Sequence, residues 1–199
     1  RCVAANSVGT AVSAPLAIEM KGCGPGEFRD ALGYCLDCPP GRFMAGTAHR
    51  NAECEACPVG RATEARGARV CALCRRGFFI ATTGASRCVA CAAGSFANAD
   101  GSTTCGPCPR GTASANKTAV TCPACPTGQF QGDVGKTACV DCPAGQVDGG
   151  ADKTKCEDCD EGWAKSAAGL GVCSECAEGY QSNRARDTCV CRVGWYAVL

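Results

Sequence analysis

The feature that most constrains the fold is a Cys-x-x-Cys pair that recurs nine times along the chain. After a first step of 19 residues, each pair follows the previous one by 17 residues. The pairs begin at Cys35, Cys54, Cys71, Cys88, Cys105, Cys122, Cys139, Cys156 and Cys173. A fixed period indicates a repeat architecture, in which each repeat is one small structural unit. We therefore expect a linear array of modules that contact mainly their neighbours along the chain.

The composition indicates that such modules need covalent support. Cysteine accounts for 22 of the 199 residues, whereas aromatic residues make up 6%. Much of the other apolar content is alanine, which buries little area, so one large hydrophobic core is not expected. A cysteine fraction this high is typical of disulfide scaffolds in oxidising compartments. The sequence thus predicts an extracellular or surface protein.

The cysteine pairs have three possible uses. Two Cys-x-x-Cys knuckles can bind zinc, and a single one can catalyse thiol–disulfide exchange. Zinc is the weaker interpretation because the pairs form an unbroken series with one histidine, His49, in the whole chain. No helix that could activate a redox thiol is evident in the pattern. Structural disulfides are therefore preferred, and no metal or cofactor is predicted.

The pairing of these cysteines is open at the level of the sequence. A bond within Cys-x-x-Cys would be strained, so the simplest pattern joins each pair to the next. This disulfide ladder consists of Cys23–Cys35, Cys38–Cys54, Cys57–Cys71, Cys74–Cys88, Cys91–Cys105, Cys108–Cys122, Cys125–Cys139, Cys142–Cys156, Cys159–Cys173 and Cys176–Cys189. A crossed pattern between adjacent pairs is the main alternative. Cys2 and Cys191 remain, and their partners are expected outside this fragment.

A glycine stands three residues after the second cysteine of every pair. The set with its flanking members is Gly26, Gly41, Gly60, Gly77, Gly94, Gly111, Gly128, Gly145, Gly162, Gly179 and Gly194. A glycine fixed at one offset indicates a positive φ or a close approach of another chain segment. An aromatic residue often follows, as at Phe43, and should pack against a neighbouring disulfide. Two turns per repeat leave room for strands of two to four residues, so we expect short β-hairpins and almost no helix.

The N-terminal residues 1–21 have a different pattern. RCVAANSVGTAVSAPLAIEM resembles the C-terminal hairpin, strands F and G, of an immunoglobulin-like domain. The resemblance implies that Cys2 is one half of an intersheet disulfide whose other half lies upstream. The alternative is an ordinary hairpin with an unrelated cysteine. Residues 22–199 would then hold the tandem cysteine-rich repeats of about 17 residues.

The repeats themselves have a recognisable consensus, which CPTGQFQGDVGKTACVDC (Cys125–Cys142) shows well. They resemble ephrin-receptor-like cysteine-rich repeats, which are similar in style to tumour-necrosis-factor-receptor repeats. The resemblance implies an elongated array of disulfide-closed modules in an extracellular protein, without catalytic activity. Repeats of this kind beside an immunoglobulin-like domain, in a chain rich in Ala, Gly and Arg, also resemble surface proteins of green algae. The mastigoneme proteins of flagellar hairs are one such group.

These observations favour a structural glycoprotein over an enzyme. The sequence has no catalytic constellation, no phosphate-binding loop and no apolar stretch near the roughly 18–20 residues that span a bilayer. The near-neutral net charge of +1 argues against nucleic-acid binding. We expect a disulfide-closed rod, a spacer or filament segment of a surface appendage or matrix. The alternative is a receptor ectodomain whose repeats bind a protein ligand.

Two local signals bear on partners. Asn116 opens the sequon Asn-Lys-Thr and is a predicted glycosylation site. Residues 61–87 are rich in arginine, whereas residues 148–161 are rich in Asp and Glu. These stretches are either ordinary solvated loops or surfaces that attract each other between copies of the chain. Expected partners are accordingly other copies, other extracellular structural proteins and glycans.

Overall fold

The computed structural model describes residues 22–46 and 53–192. The predicted immunoglobulin-like hairpin, Cys2 and Gly194 lie outside the described residues. Ten disulfides divide the described chain into consecutive closed loops, named module 1 (Cys23–Cys35) to module 10 (Cys176–Cys189) in chain order. The intervening eight are Cys38–Cys54, Cys57–Cys71, Cys74–Cys88, Cys91–Cys105, Cys108–Cys122, Cys125–Cys139, Cys142–Cys156 and Cys159–Cys173. The pairing is that of the disulfide ladder and not that of the crossed pattern.

Short antiparallel hairpins are the only regular structure in the described residues, which contain no helix. The strands are β1 (Glu27–Arg29), β2 (Cys35–Asp37), β3 (Arg42–Phe43), β4 (Glu55–Ala56), β5 (Arg61–Ala62), β6 (Ala72–Leu73), β7 (Phe78–Phe79), β8 (Val89–Ala90), β9 (Ser95–Phe96), β10 (Gly106–Pro107), β11 (Gln129–Phe130), β12 (Val140–Asp141), β13 (Gln146–Asp148), β14 (Cys156–Asp158), β15 (Trp163–Ala164), β16 (Ser174–Glu175), β17 (Tyr180–Ser182) and β18 (Cys189–Cys191). Each odd-numbered strand pairs with the even-numbered strand that follows it. The expected fold class of an elongated array of small disulfide-rich hairpins is confirmed.

Module 6 is the exception to the hairpin rule. Its two chain segments meet only through an isolated antiparallel bridge between Thr112 and Ala124. A parallel bridge between Phe96 and Ala119 ties the same module to module 5. The glycine three residues after the cysteine that begins each module is called its turn glycine, and in module 6 no aromatic residue follows this glycine, Gly111. Modules 3 and 8 share that feature and still have full hairpins, so the missing ring does not by itself explain the shorter pairing.

Cystine sulfur takes the place of a conventional core. Nine cysteines are at most 2% exposed and are the largest fully buried side chains of the described residues. They are Cys23, Cys38, Cys57, Cys71, Cys74, Cys91, Cys108, Cys142 and Cys159. Phe28 packs against a buried cluster of Cys38, Met44 and Cys54, as predicted for the ring of a module. Trp163 and Tyr180 are each 39% exposed, and for these two rings packing against a disulfide stays a prediction.

Consecutive modules are joined by a repeated hydrogen bond. The turn glycine of one module donates its N–H to the module that follows, and all nine junctions between described modules have this bond. In seven of them the acceptor is a backbone carbonyl, as from Gly94 to Ser114 at 2.8 Å. Because this bond does not depend on a side chain, it tolerates wide sequence variation at the acceptor.

Contacts also reach the second module along the chain, in addition to the expected contacts between adjacent modules. Eight turn glycines, from Gly26 in module 1 to Gly145 in module 8, face a loop of the module two places ahead. A β-carbon at any of them would lie 1.9–2.4 Å from a backbone carbonyl oxygen of that loop. The described array is therefore a stack in which each of modules 1 to 8 contacts two successors.

Candidate functional site

The junction between modules is the recurring chemical unit of this protein. The first residue of interest is the turn glycine, whose φ of 75–84° at all ten described positions is open to few other residues. Its carbonyl accepts the N–H of the residue that starts the next loop, as from Cys108 to Gly94 at 2.9 Å. Its own N–H donates a hydrogen bond to the next module. One residue thus connects its own turn, the cysteine that starts the next loop and a further segment of the next module.

Two junctions use a side chain as the acceptor. Gly128 donates to Asp148 Oδ2 at 2.8 Å, and Gly162 donates to Ser182 Oγ at 3.0 Å. Both acceptors occupy the position that supplies a backbone carbonyl at the other junctions. The junction between modules 7 and 8 and the junction between modules 9 and 10 therefore differ chemically from the other seven junctions.

Asp148 is the best-defined ionisable group of the array. Its carboxylate is 15% exposed and forms an ion pair with Lys153, which is 18% exposed. The hydrogen bond from Lys153 is the largest effect that lowers the pKa of Asp148 below its ordinary value of 3.8. The N–H of Gly128 and the charges of Lys153 and Lys165 act in the same direction, whereas desolvation opposes them. The carboxylate is therefore held in its charged form at this junction.

Lys165 supports the next junction from inside the stack. Its side chain is buried, with 4% of the residue exposed, and Nζ donates to the carbonyl oxygen of Gln146 at 2.8 Å. Its backbone carbonyl accepts the N–H of Gly145 at 2.7 Å. Burial of an ammonium group is costly unless it is hydrogen-bonded, and here the carbonyls of the preceding module provide the acceptors. The residue therefore has a bonding role within the stack.

The structure places the predicted site residues as follows. All twenty ladder cysteines are in disulfides, with Cα–Cα distances of 5.5–5.7 Å. Cys191 is the free cysteine of the described residues and is half-buried. Asn116 is exposed in the loop of module 6, where its N–H is bonded to Ser114 Oγ at 3.3 Å. The expectation that Cys191 pairs with a cysteine outside this fragment stays a prediction.

A cluster of potential metal ligands forms at the start of the array. Side-chain ligand atoms of Cys23, Glu27 and Cys35 lie within 4.8 Å of one another. Because Cys23 and Cys35 are joined in a disulfide, neither can offer the thiolate that binds metal. The Glu27 carboxylate instead accepts the N–H of Gly24 at 2.9 Å. The cluster therefore serves the fold of module 1.

The charged stretches differ in how far their charges are already paired. Arg87 forms an ion pair with Glu64 at 3.2 Å, and Arg61 donates to the carbonyl of Cys71 at 2.9 Å. In the acidic stretch, Asp148 is bound inside a junction and Glu157 pairs with Lys155 at 3.1 Å. The sequence places Asp148 in an acidic stretch that is predicted to be exposed, and its position in the junction corrects that prediction. The other members of both stretches are exposed.

Three depressions of the described surface lie at modules 9 and 10 and are open to solvent. One of about 500 Å³ is lined by Lys165, Leu170 and Val172. Within the described residues, no helix has the length and apolar character needed to cross a membrane.

Comparison with known proteins identifies the repeats. The family model described as tyrosine-protein kinase ephrin type A/B receptor-like matches residues 26–74, 77–120 and 111–159. Together these three matches cover more than half of the chain. No curated protein matches the chain.

Proposed function

Since the chain belongs to the ephrin type A/B receptor-like family of cysteine-rich repeats, and so to an extracellular disulfide-rich class of proteins, we propose that it is a structural protein. In this proposal the array is a stiff spacer, or a filament segment of a surface appendage or matrix. It has no enzymatic activity, and its partners are other copies or other extracellular structural proteins. Residues 1–21 are the end of an immunoglobulin-like domain that precedes the array.

The observation that carries this proposal is the continuity of the junctions. All nine junctions of the described modules have the glycine hydrogen bond, and eight close approaches reach the second module. An array that uses every junction in this way resists bending at any one of them. A rod that transmits position or force needs that property, whereas a string of independent binding modules does not.

Within the extracellular space, we propose that the protein lies on the surface of a green-algal flagellum. The support is the composition of the chain and the combination of its repeats with an N-terminal segment whose sequence resembles an immunoglobulin-like hairpin. A glycan on Asn116 belongs to the same proposal, because the exposed side chain is accessible to a transferase. Localisation of the tagged chain by immunoelectron microscopy would test this placement, and labelling confined to intracellular compartments would oppose it.

A receptor ectodomain is the second candidate function. The family description names a receptor, and repeats of this kind on such a protein could bind a protein ligand. The two functions differ in what the isolated chain does. A spacer retains one extended shape on its own, whereas a receptor ectodomain binds a soluble protein as a monomer or small oligomer.

Small-angle X-ray scattering of the oxidised chain tests the spacer function. A globular chain of this length has a radius of gyration of about 16 Å, and an unfolded one about 48 Å. We expect a value clearly above the globular one, with the scattering profile of a rigid rod. A globular radius, or the profile of a flexible chain in which modules reorient freely, would oppose the proposal. The reduced and alkylated chain is the control and should approach the unfolded value.

A further inference from the structure

Two turns of the array have opposite charges at equivalent positions. The turn of module 4 reads Cys-Arg-Arg-Gly (Cys74–Gly77), and that of module 9 reads Cys-Asp-Glu-Gly (Cys159–Gly162). Of the other eight modules, five have proline directly after the cysteine and three have glycine or alanine. Modules 4 and 9 are thus the only ones of the ten with a charge at that position.

The backbones of these two turns have the same conformation. Phe78 donates its N–H to the carbonyl of Arg75 at 3.0 Å, and Trp163 donates to that of Asp160 at 3.0 Å. The φ of Gly77 is 83° and that of Gly162 is 82°. Each turn leads into the first strand of its hairpin, β7 in module 4 and β15 in module 9. The array therefore presents an arginine pair and an acidic pair on matching scaffolds.

All four side chains are exposed and open to a partner. Arg75, Arg76, Asp160 and Glu161 are exposed, and none of them takes part in an ion pair among the described residues. Two other charged residues of the same stretches, Arg87 and Glu157, are paired within the chain instead. Charges left unpaired on a rigid scaffold retain their full capacity to attract an opposite charge from another molecule.

The rest of the array amplifies the difference between the two turns. Modules 3–6 contain eight basic and two acidic residues, for a net charge of +6. Modules 7–10 contain six basic and eleven acidic residues, for a net charge of −5. These two four-module segments have opposite net charges of similar size. Each segment is therefore complementary to the oppositely charged segment of a second copy that is antiparallel or shifted along the axis.

We propose that a second copy of this chain binds through these turns, with Arg75 and Arg76 of one copy against Asp160 and Glu161 of the other. A single partner then accounts for both turns, whereas an anionic glycan would account only for the arginines. The inference deepens the proposed structural function, on which it rests for the requirement that copies meet. Their contact is electrostatic and weakens as salt screens it.

Charge reversal tests the proposal in the full oxidised chain. Sedimentation velocity at low salt would compare the wild-type chain with Arg75→Glu/Arg76→Glu and with Asp160→Arg/Glu161→Arg, after iodoacetamide blocks free thiols such as Cys191. Each reversed variant alone should associate at least about tenfold more weakly, because like charges then meet. An equimolar mixture of the two reversed variants should associate again, within about threefold of the wild-type affinity. The matched control, Arg66→Glu/Arg69→Glu, changes the net charge equally and leaves both turns intact.

Each outcome decides the question. Loss of association in the reversed variants, recovery in their mixture and little change in the control would support the proposal. Association that survives both reversals, or a control as weak as the reversed variants, would overturn it while leaving the structural function standing. A wild-type chain that stays monomeric would also overturn it, and the scattering experiment would still judge the spacer function separately. Binding of the wild-type chain to heparin alone would assign the arginines to an anionic glycan instead.

Discussion

Gly94 and Gly135 lie two modules apart along the chain and in direct backbone contact. A β-carbon at Gly94 would lie 2.2 Å from the carbonyl oxygen of Gly135, well inside van der Waals contact. Gly94 also has a φ of 80° and donates its N–H to Ser114 in the intervening module. One glycine thus fixes three consecutive modules relative to one another.

Substitution of Gly94 by alanine tests this close approach. Alanine at a left-handed position costs about 1–2 kcal/mol, and the clash with Gly135 should add about 1–3 kcal/mol of overpacking. Denaturation in guanidinium chloride with disulfides intact, followed by near-UV circular dichroism, would measure the loss of stability.

Gly162→Ala is the matched control for that substitution. Gly162 has the same turn conformation, with a φ of 82°, but no described atom lies within 4 Å of a β-carbon there. Its cost should therefore be only the conformational part, about 1–2 kcal/mol. Equal losses in the two variants would mean that the contact with the second module contributes nothing.

Removal of one disulfide should be costly at the centre of the array. Cys108→Ser/Cys122→Ser opens the loop of module 6, which lacks a full hairpin and contacts modules on both sides. We expect a loss of about 2–4 kcal/mol, since closure of a loop this size constrains the unfolded chain by that amount. The equivalent change in module 10, Cys176→Ser/Cys189→Ser, should mainly loosen that end. Protease sensitivity mapped by mass spectrometry would separate local from global loss, and equal nicking of modules 5–7 in both variants would contradict the expectation.

Acid should weaken the junction between modules 7 and 8 in particular. The pKa of Asp148 is lower in the folded chain than its ordinary value of 3.8. The stability that the charged carboxylate contributes is therefore complete above pH 3.8 and disappears as the pH falls through the pKa of the folded chain. The wild-type chain should therefore lose stability progressively below about pH 4. Asp148→Asn should have a shallower acid dependence, whereas Asp160→Asn, at an exposed site, should follow the wild type. Indistinguishable pH profiles for all three chains would contradict the account.

Glycosylation at Asn116 can be tested on the chain secreted from a eukaryotic host. The side chain is exposed, and the sequon lies in a loop outside any strand. The intact mass should fall by the mass of one N-glycan after amidase treatment, and Thr118→Ala should remove that difference. An unmodified Asn116 in the wild-type chain would contradict the prediction.

The sequence was sufficient for the features that repeat within a module. Cysteine spacing makes the disulfide ladder the simplest pairing but leaves the crossed pattern open, and the structure has the ladder. Two turns per 17 residues predict hairpins, whose strands are two or three residues long in the structure. The turn glycines have the positive φ that their fixed offset indicated. Each of these features is formed by residues of a single module, so the repeat in the sequence is also the repeat in the structure.

The contacts between modules were harder to predict. A fixed glycine indicates a close approach without saying which segment approaches, so the contact of Gly94 with Gly135 had no signal of its own. The acidic neighbours of Asp148 in the sequence predict an acidic surface, and this prediction is wrong for Asp148 itself. Its alignment with Met44 and Ile80, which are buried at the same place in other modules, was the signal that could have placed it inside a junction.

Hydrogen exchange of the turn-glycine amides tests the central claim, a continuous stack, most directly. In a chain labelled with ¹⁵N-glycine, the N–H groups of Gly41, Gly60, Gly77, Gly94, Gly111 and Gly145 donate to the next module. They should exchange far more slowly than those of Gly150 and Gly171, which make no hydrogen bond among the described residues. Slow exchange of all six would show that the modules are stacked in solution. Exchange of these amides at the rate of Gly150, with the disulfides intact, would mean independent beads on a chain and would contradict the account.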